Sequence, residues 1–167
     1  MKKLSTLLAV LLIAIFAVFA LGSGESESET VDQGSGNAEV SATNDTEIGD
    51  YSVEIKSCRL AKDYEGKNVI IVKYGFTNNT NDTPTSFMVA FDDTAFQNGV
   101  GLNETYFLAD SAKYSSDNQT KEIKKGASID VEVAYELNDT TTDVEIEVEE
   151  LFSFDEKVIK KTFKINK

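Results

Sequence analysis

The chain has 167 residues, with 16 Lys and Arg against 29 Asp and Glu, for a formal charge of −13. So acidic a surface repels phosphate backbones, which excludes nucleic acid, and it disfavours anionic membrane surfaces while leaving cations, basic peptides and basic cell-wall polymers open as partners. With no histidine and a single cysteine, Ser-His-Asp and Cys-His catalysis, histidine-based zinc or copper sites and an internal disulfide are all ruled out.

Residues 1–22 have the layout of an export signal: Met1-Lys2-Lys3, an almost unbroken apolar run from Leu4 to Leu21, and small residues at Gly22-Ser23-Gly24. Three readings stand side by side. The segment is a signal cleaved near Val18-Phe19-Ala20 or Ala20-Leu21-Gly22. It is an uncleaved anchor helix, the run being only slightly shorter than the ~20 residues that span a bilayer. Or Ala20-Leu21-Gly22-Ser23-Gly24 is a relic lipobox in which Ser23 replaces the lipid-bearing cysteine, since a hydroxyl cannot form the thioether. In each case Lys2 and Lys3 stay inside, and the expected location is extracellular or cell-surface. The only membrane contact would be through residues 1–22 if uncleaved.

Residues 23–48 read as a flexible acidic Ser/Gly-rich linker. Gly24 to Glu29 and Gln33 to Asn37 are charged and lack apolar periodicity, so they cannot bury enough surface to order. The reach of such a coil is roughly 25–30 Å.

Residues 49–167 change to period two, which marks strands with one buried face. Tyr51, Val53 and Ile55 lead the first, which runs to Leu60 and contains Cys58, read as a packed thiol. Ile70, Val72, Tyr74 and Phe76 define the second, with Val69 and Ile71 making it apolar on both faces and so central. A third is expected on Phe87, Val89 and Phe91. Asn98-Gly99, between Ala95-Phe96 and Val100 to Leu102, is a two-residue hairpin signal because both central positions need positive φ. Thr105 to Asn118 fit either strand and loop or a short helical turn. Further strands follow on Ile129 to Leu137, Val144 to Val148 and Val158 to Ile165, with turns at Tyr64 to Asn68, Asn138 to Asp143 and Phe154 to Lys157. This rhythm predicts an all-β, immunoglobulin-like antiparallel β-sandwich of about seven to eight strands, preceded by a signal or anchor helix and a disordered linker. The ten Phe and six Tyr would supply its core.

Four segments carry a family resemblance: Val72 to Asn79, Ala95 to Val100, Ile123 to Ser128 and Ala134 to Leu137. With them, most of residues 48–165 resembles the bacterial domain of unknown function 5067 family, telokin-like, immunoglobulin-like sandwiches of exported proteins that are typically predicted lipoproteins. The resemblance implies a fold and an exported setting. It implies no activity and no site residue, and Ser23 departs from the lipoprotein pattern.

The candidate sites are few. Asp130 and Glu132 with Glu145, Glu147 and Glu149 would line outward strand faces. If those two strands pair, like charges oppose each other, and Lys160, Lys161 and Lys164 would interleave to relieve them. The same face could dock a cationic partner. Calcium, needing six to eight oxygens, has Asp92 with Asp93, Asp139 with Asp143, and Asp110 with Asp117 as loop carboxylates, although no EF-hand series is present. Asn44, Asn78, Asn81, Asn103, Asn118 and Asn138 open N-x-[ST] triplets. No catalytic constellation and no cofactor motif is found, so the expected role is a non-catalytic binding module of the cell envelope with an unknown protein or cell-wall partner. The alternative is a spacer domain without a ligand, and a third is a calcium-stabilised adhesion module.

Overall fold

The strand nearest the start of the computed structural model is only two residues long, Glu47–Ile48 (β1), and it falls in the stretch read as linker. The structure describes residues 46–165. The expected anchor helix and nearly all of the linker lie outside the described residues, as does Asn44. Within them, β2 (Tyr51–Lys62), β3 (Asn68–Asn78), β4 (Phe91–Gln97), β5 (Val100–Gly101), β6 (Ser128–Glu136), β7 (Val144–Glu150) and β8 (Val158–Phe163) complete an all-β fold. Two four-stranded antiparallel sheets form, ordered β1-β2-β3-β6 and β5-β4-β7-β8. Among the described residues no helix is long and apolar enough to cross a membrane.

The two sheets share one core, because alternation sends Tyr51, Val53 and Ile55 of β2, Ile70, Val72, Tyr74 and Phe76 of β3, and Val144, Ile146 and Val148 of β7 to the same interior. β2 changes phase midway. Its register against β3 shifts between Ile55 and Ser57, a bulge that inserts Lys56. Beyond it Cys58 pairs with Val72 and packs on the core.

β3 lies between β2 and β6, as its two apolar faces predict, and Val69 and Ile71 are 0% exposed on the side away from the main core. The ambiguous segment after β5 accounts for this. It leaves the second sheet at Leu102, whose N–H bonds to Ala95 O, and joins the edge of β6 through Thr105 N–H to Ala134 O at 2.8 Å and Glu136 N–H to Asn103 O at 2.8 Å. It then bridges Leu108 to Asp63, makes a single 3-10 turn at Asp110–Ala112 and is held over β2 by the Arg59 guanidinium, which donates to the carbonyls of Ala112 and Lys113. Of the two alternatives for this segment, the helical turn forms at Asp110–Ala112; no strand does, the chain before it making only isolated bridges.

One expectation fails. Phe87–Ala90 is a one-turn helix (α1), and the strand begins only at Phe91. Phe87 and Ala90 are buried while Met88 and Val89 are exposed, the i, i+3 spacing of a helix replacing the expected alternation. Backbone bonds from Val89 and Ala90 N–H to Ser86 O close that turn. It brings the Phe87 and Phe91 rings within 5.4 Å of each other and both against Phe76, in tilted or edge-on contacts. The condition on which β6 and β7 would oppose like charges is not met, since the two strands belong to different sheets. The Asn98-Gly99 turn is as expected, with φ of 52° and 73°.

Candidate functional site

Asp93 has the most unusual environment of the candidate carboxylates. Phe91, Ala95 and Gln97 point inward from β4, so Asp93 between them does too, while Asp92 is exposed on the opposite face. The two cannot chelate one ion together. Across the interior, Tyr135 of β6 donates to Asp93 Oδ2, and Tyr135 and Tyr74 hydroxyls lie 3.2 Å apart. Burial pushes the Asp93 carboxyl up to about 6, the Tyr135 hydrogen bond opposes this and Glu104 adds to it. Burial also holds both tyrosine hydroxyls well above their ordinary range. A carboxyl that accepts from a phenol of the opposite sheet ties the two sheets together.

Of the remaining calcium candidates, Asp139 is engaged by its own loop. Asp139 Oδ1 accepts from the N–H groups of Thr141 and Thr142, and these bonds pull its carboxyl down to about 2. Asp143 is exposed beyond that loop, Asp110 starts the 3-10 turn, and Asp117 sits in a later turn. Among the described residues no group of three or more His, Cys, Asp or Glu is arranged to hold a metal ion. The loop from Asn138 is held from beneath by buried Gln97, whose Oε1 accepts from Asn138 N–H at 2.8 Å and whose Nε2 donates to Thr142 O at 2.9 Å.

The acidic faces are partly neutralised. Asp130 takes Lys56 at 2.6 Å and Lys73 at 2.8 Å. Gly75 makes room for this, because a Cβ there would meet Lys56 Cε at 2.6 Å. Arg59 clamps Glu132 with both terminal nitrogens, at 2.5 and 2.9 Å. On the other sheet Lys160 pairs with Glu147, its cross-strand neighbour, as interleaving predicts. Glu145 and Glu149 stay exposed, with Glu149 opposite Asp92. Lys161 departs from the expectation, because it turns from the acids to the other sheet and donates to the carbonyls of Ile55 and Lys56. A shallow cleft of about 460 Å³ crosses the outer face of the first sheet, lined by Ser52, Glu54, Gly75, Thr77 and the Lys56–Asp130 pair.

Cys58 is half-buried, and burial raises its thiol to about 11, which keeps it protonated and unreactive. Asn78 is 0% exposed and donates to Ile123 O, so that triplet is closed to a glycan in the folded chain. Asn81 and Asn118 are half-buried, while Asn103 and Asn138 are exposed.

The side chains that stand out were missed by the sequence reading. Tyr64 and Phe107 are 69% and 71% exposed and meet edge-on at 6.3 Å, with Tyr64 N–H bonded to Phe107 O at 3.3 Å. Tyr106, next to Phe107, and Leu60, four residues before Tyr64, are also half-exposed. Phe152 and Phe154 in the β7–β8 turn are 92% and fully exposed. The available signal was an aromatic in a turn segment, where the strand alternation assigns it no interior place.

The fold is shared with solved structures of two bacterial proteins. The chain is similar to a "putative lipoprotein" of Staphylococcus aureus NCTC 8325, with 22% identity and a TM-score of 0.56 over 77% of this chain and 94% of that one. It is similar also to a "putative lipoprotein" of Bacillus subtilis strain 168, with 16% identity and a TM-score of 0.55 over 74% of this chain but only 39% of that one. At these identities the likeness is one of fold. No curated protein matches. The family model for the domain of unknown function DUF5067 matches residues 26–150, three quarters of the sequence, and the chain therefore belongs to the DUF5067 family.

Proposed function

We propose that the protein is an exported, immunoglobulin-like, non-catalytic interaction module held at the cell envelope, and that it engages a protein or cell-wall partner through the Tyr64–Phe107 corner. The observation that carries this is the rigid display of two aromatic rings to water. Each ring could bury ~150 Å² or more of apolar surface on contact, and aromatic anchors on braced loops are the usual energetic centres of interfaces. The corner is braced at both ends. Asp63, 4% exposed, accepts the N–H groups of Glu65 and Lys67 and so fixes the β2–β3 turn, while the Leu108–Asp63 bridge fixes the other chain. The net charge of −13 favours a basic partner. The export layout of residues 1–22 and the lipoprotein relatives support the location.

The test is saturable binding to envelope fractions by the wild type and by a Tyr64→Ser, Phe107→Ser double variant. The account expects saturation for the first and its loss in the second. Absence of saturable binding by the wild type would leave a spacer domain instead.

A further inference from the structure

We infer that the β7–β8 turn is a lipid-contacting tip: when the chain is tethered to a bilayer, Phe152 and Phe154 seat in its water–lipid interface. The inference rests on the proposed envelope location and adds to it an orientation and a second ligand class, a lipid surface.

The turn is built to project its rings. Phe152 has φ of 65°, a left-handed conformation that bulky residues rarely take. The surrounding backbone is braced by bonds from Leu151 N–H to Ala90 O at 2.9 Å, from Ser153 N–H to Glu150 O, and from Asp155 N–H to Ser153 Oγ at 3.1 Å. The Leu151–Ala90 bond sets the turn against α1, whose Met88 and Val89 are 45% and 58% exposed, so the apolar surface extends beyond the two rings.

The occupant follows from where the preceding chain enters. Thr46 O accepts Val53 N–H at 2.8 Å, and β1 then turns at Gly49. The Glu150 carboxylate lies directly on that turn, since a Cβ on Gly49 would fall 1.9 Å from Glu150 Oε2. Glu150 is two residues from Phe152, so the chain that leads back to the apolar run Leu4 to Leu21 joins the fold at the end that carries the rings. The sequence from Gly22 to Asp45 has the composition of a linker, and a flexible chain of that length would reach roughly 25–30 Å. A bilayer holding the apolar run would then be within that reach, and confinement of this kind would replace intrinsic affinity. Asp155 and Glu156 follow the rings and are exposed, which argues for zwitterionic over anionic headgroups. The Tyr64–Phe107 corner lies past the other end of β2, roughly 35–40 Å away for a 12-residue strand, and stays in water.

The chain contains no tryptophan, so one introduced indole reports its own surroundings. Full-length Phe152→Trp and, separately, Phe154→Trp and Phe107→Trp are reconstituted into phosphatidylcholine vesicles with and without brominated acyl chains. The first two are expected to lose about half their emission to the brominated lipid, with a shift to shorter wavelength, and the third to lose none. Chains that float with the vesicles but show no quenching at positions 152 and 154 would overturn the tip while leaving the envelope location intact. Equal quenching at all three positions would overturn the orientation. Chains that fail to float would overturn both the tether and the tip.

Discussion

Lys161 of β8 donates to Ile55 O at 2.7 Å, spanning from one sheet to the bulge of the other. Its Nζ also reaches Lys56 O at 2.9 Å and lies 5.3 Å from the centre of the Phe163 ring. The bulge takes these carbonyls out of the regular ladder, and one ammonium satisfies both. The same contact blunts the edge of β2 beyond β1, where an unpaired strand would otherwise invite another chain.

Replacing this ammonium leaves two carbonyls without their donor. Lys161→Met is expected to cost about 1.5–3 kcal/mol, the range for a hydrogen bond to a charged group. Its neighbour Lys160 makes an exposed ion pair with Glu147, and Lys160→Met is expected to leave stability unchanged within error. Urea denaturation of the two variants checks the contrast; equal effects would contradict the assigned roles.

The link between Asp93 and Tyr135 predicts a pH dependence. Burial raises the Asp93 carboxyl from 3.8 to about 6, so between these values the folded state holds a proton that the unfolded chain releases. The contribution of this group is fully present below pH 3.8 and is lost as pH rises through 6. At about 1.4 kcal/mol per pH unit, the loss is at most ~3 kcal/mol. Asp93→Asn keeps an acceptor for Tyr135 and removes the charge. It is expected to raise stability above pH 6 and to flatten the fall between pH 4 and 6 in urea titrations. A variant less stable than wild type at pH 8 would contradict this.

The crossover from β6 to β7 depends on Gln97 and Asp139 in different ways. Gln97→Leu removes every bond its buried amide makes to the loop and is expected to cost about 2–3 kcal/mol. Asp139, held down to about 2, stabilises the loop above pH 3.8, and that contribution is lost as pH falls toward 2. Because the loop's own N–H groups occupy this carboxylate, millimolar calcium or chelator is expected to leave the melting temperature unchanged. A calcium-dependent rise would contradict the assignment.

The framework was legible because period two is a local signal: Ile70, Val72, Tyr74 and Phe76 could only share a face, and Asn98-Gly99 could only turn. Phe87 to Phe91 misled because five residues of alternating bulk fit one helical turn followed by a strand start as well as they fit a strand. The inward course of Asp93 was implicit in Phe91 and Ala95 on either side. Pairing was not legible. Whether β6 meets β7 or β3 depends on long-range topology, and so does the fate of Lys161, whose acceptors lie more than a hundred residues away. The exposed corner needed three dimensions as well, since Tyr64 and Phe107 meet only because the segment after β5 returns across the first sheet.

The central claim is that a fixed aromatic corner meets a partner outside the cytoplasm. It is tested most directly by a photo-crosslinking amino acid placed at Phe107 in growing cells, with the same group at Val100, also exposed, as the control. The account predicts one discrete envelope adduct from position 107 and none from position 100. Identical adduct patterns from both positions, or none from either, would contradict it.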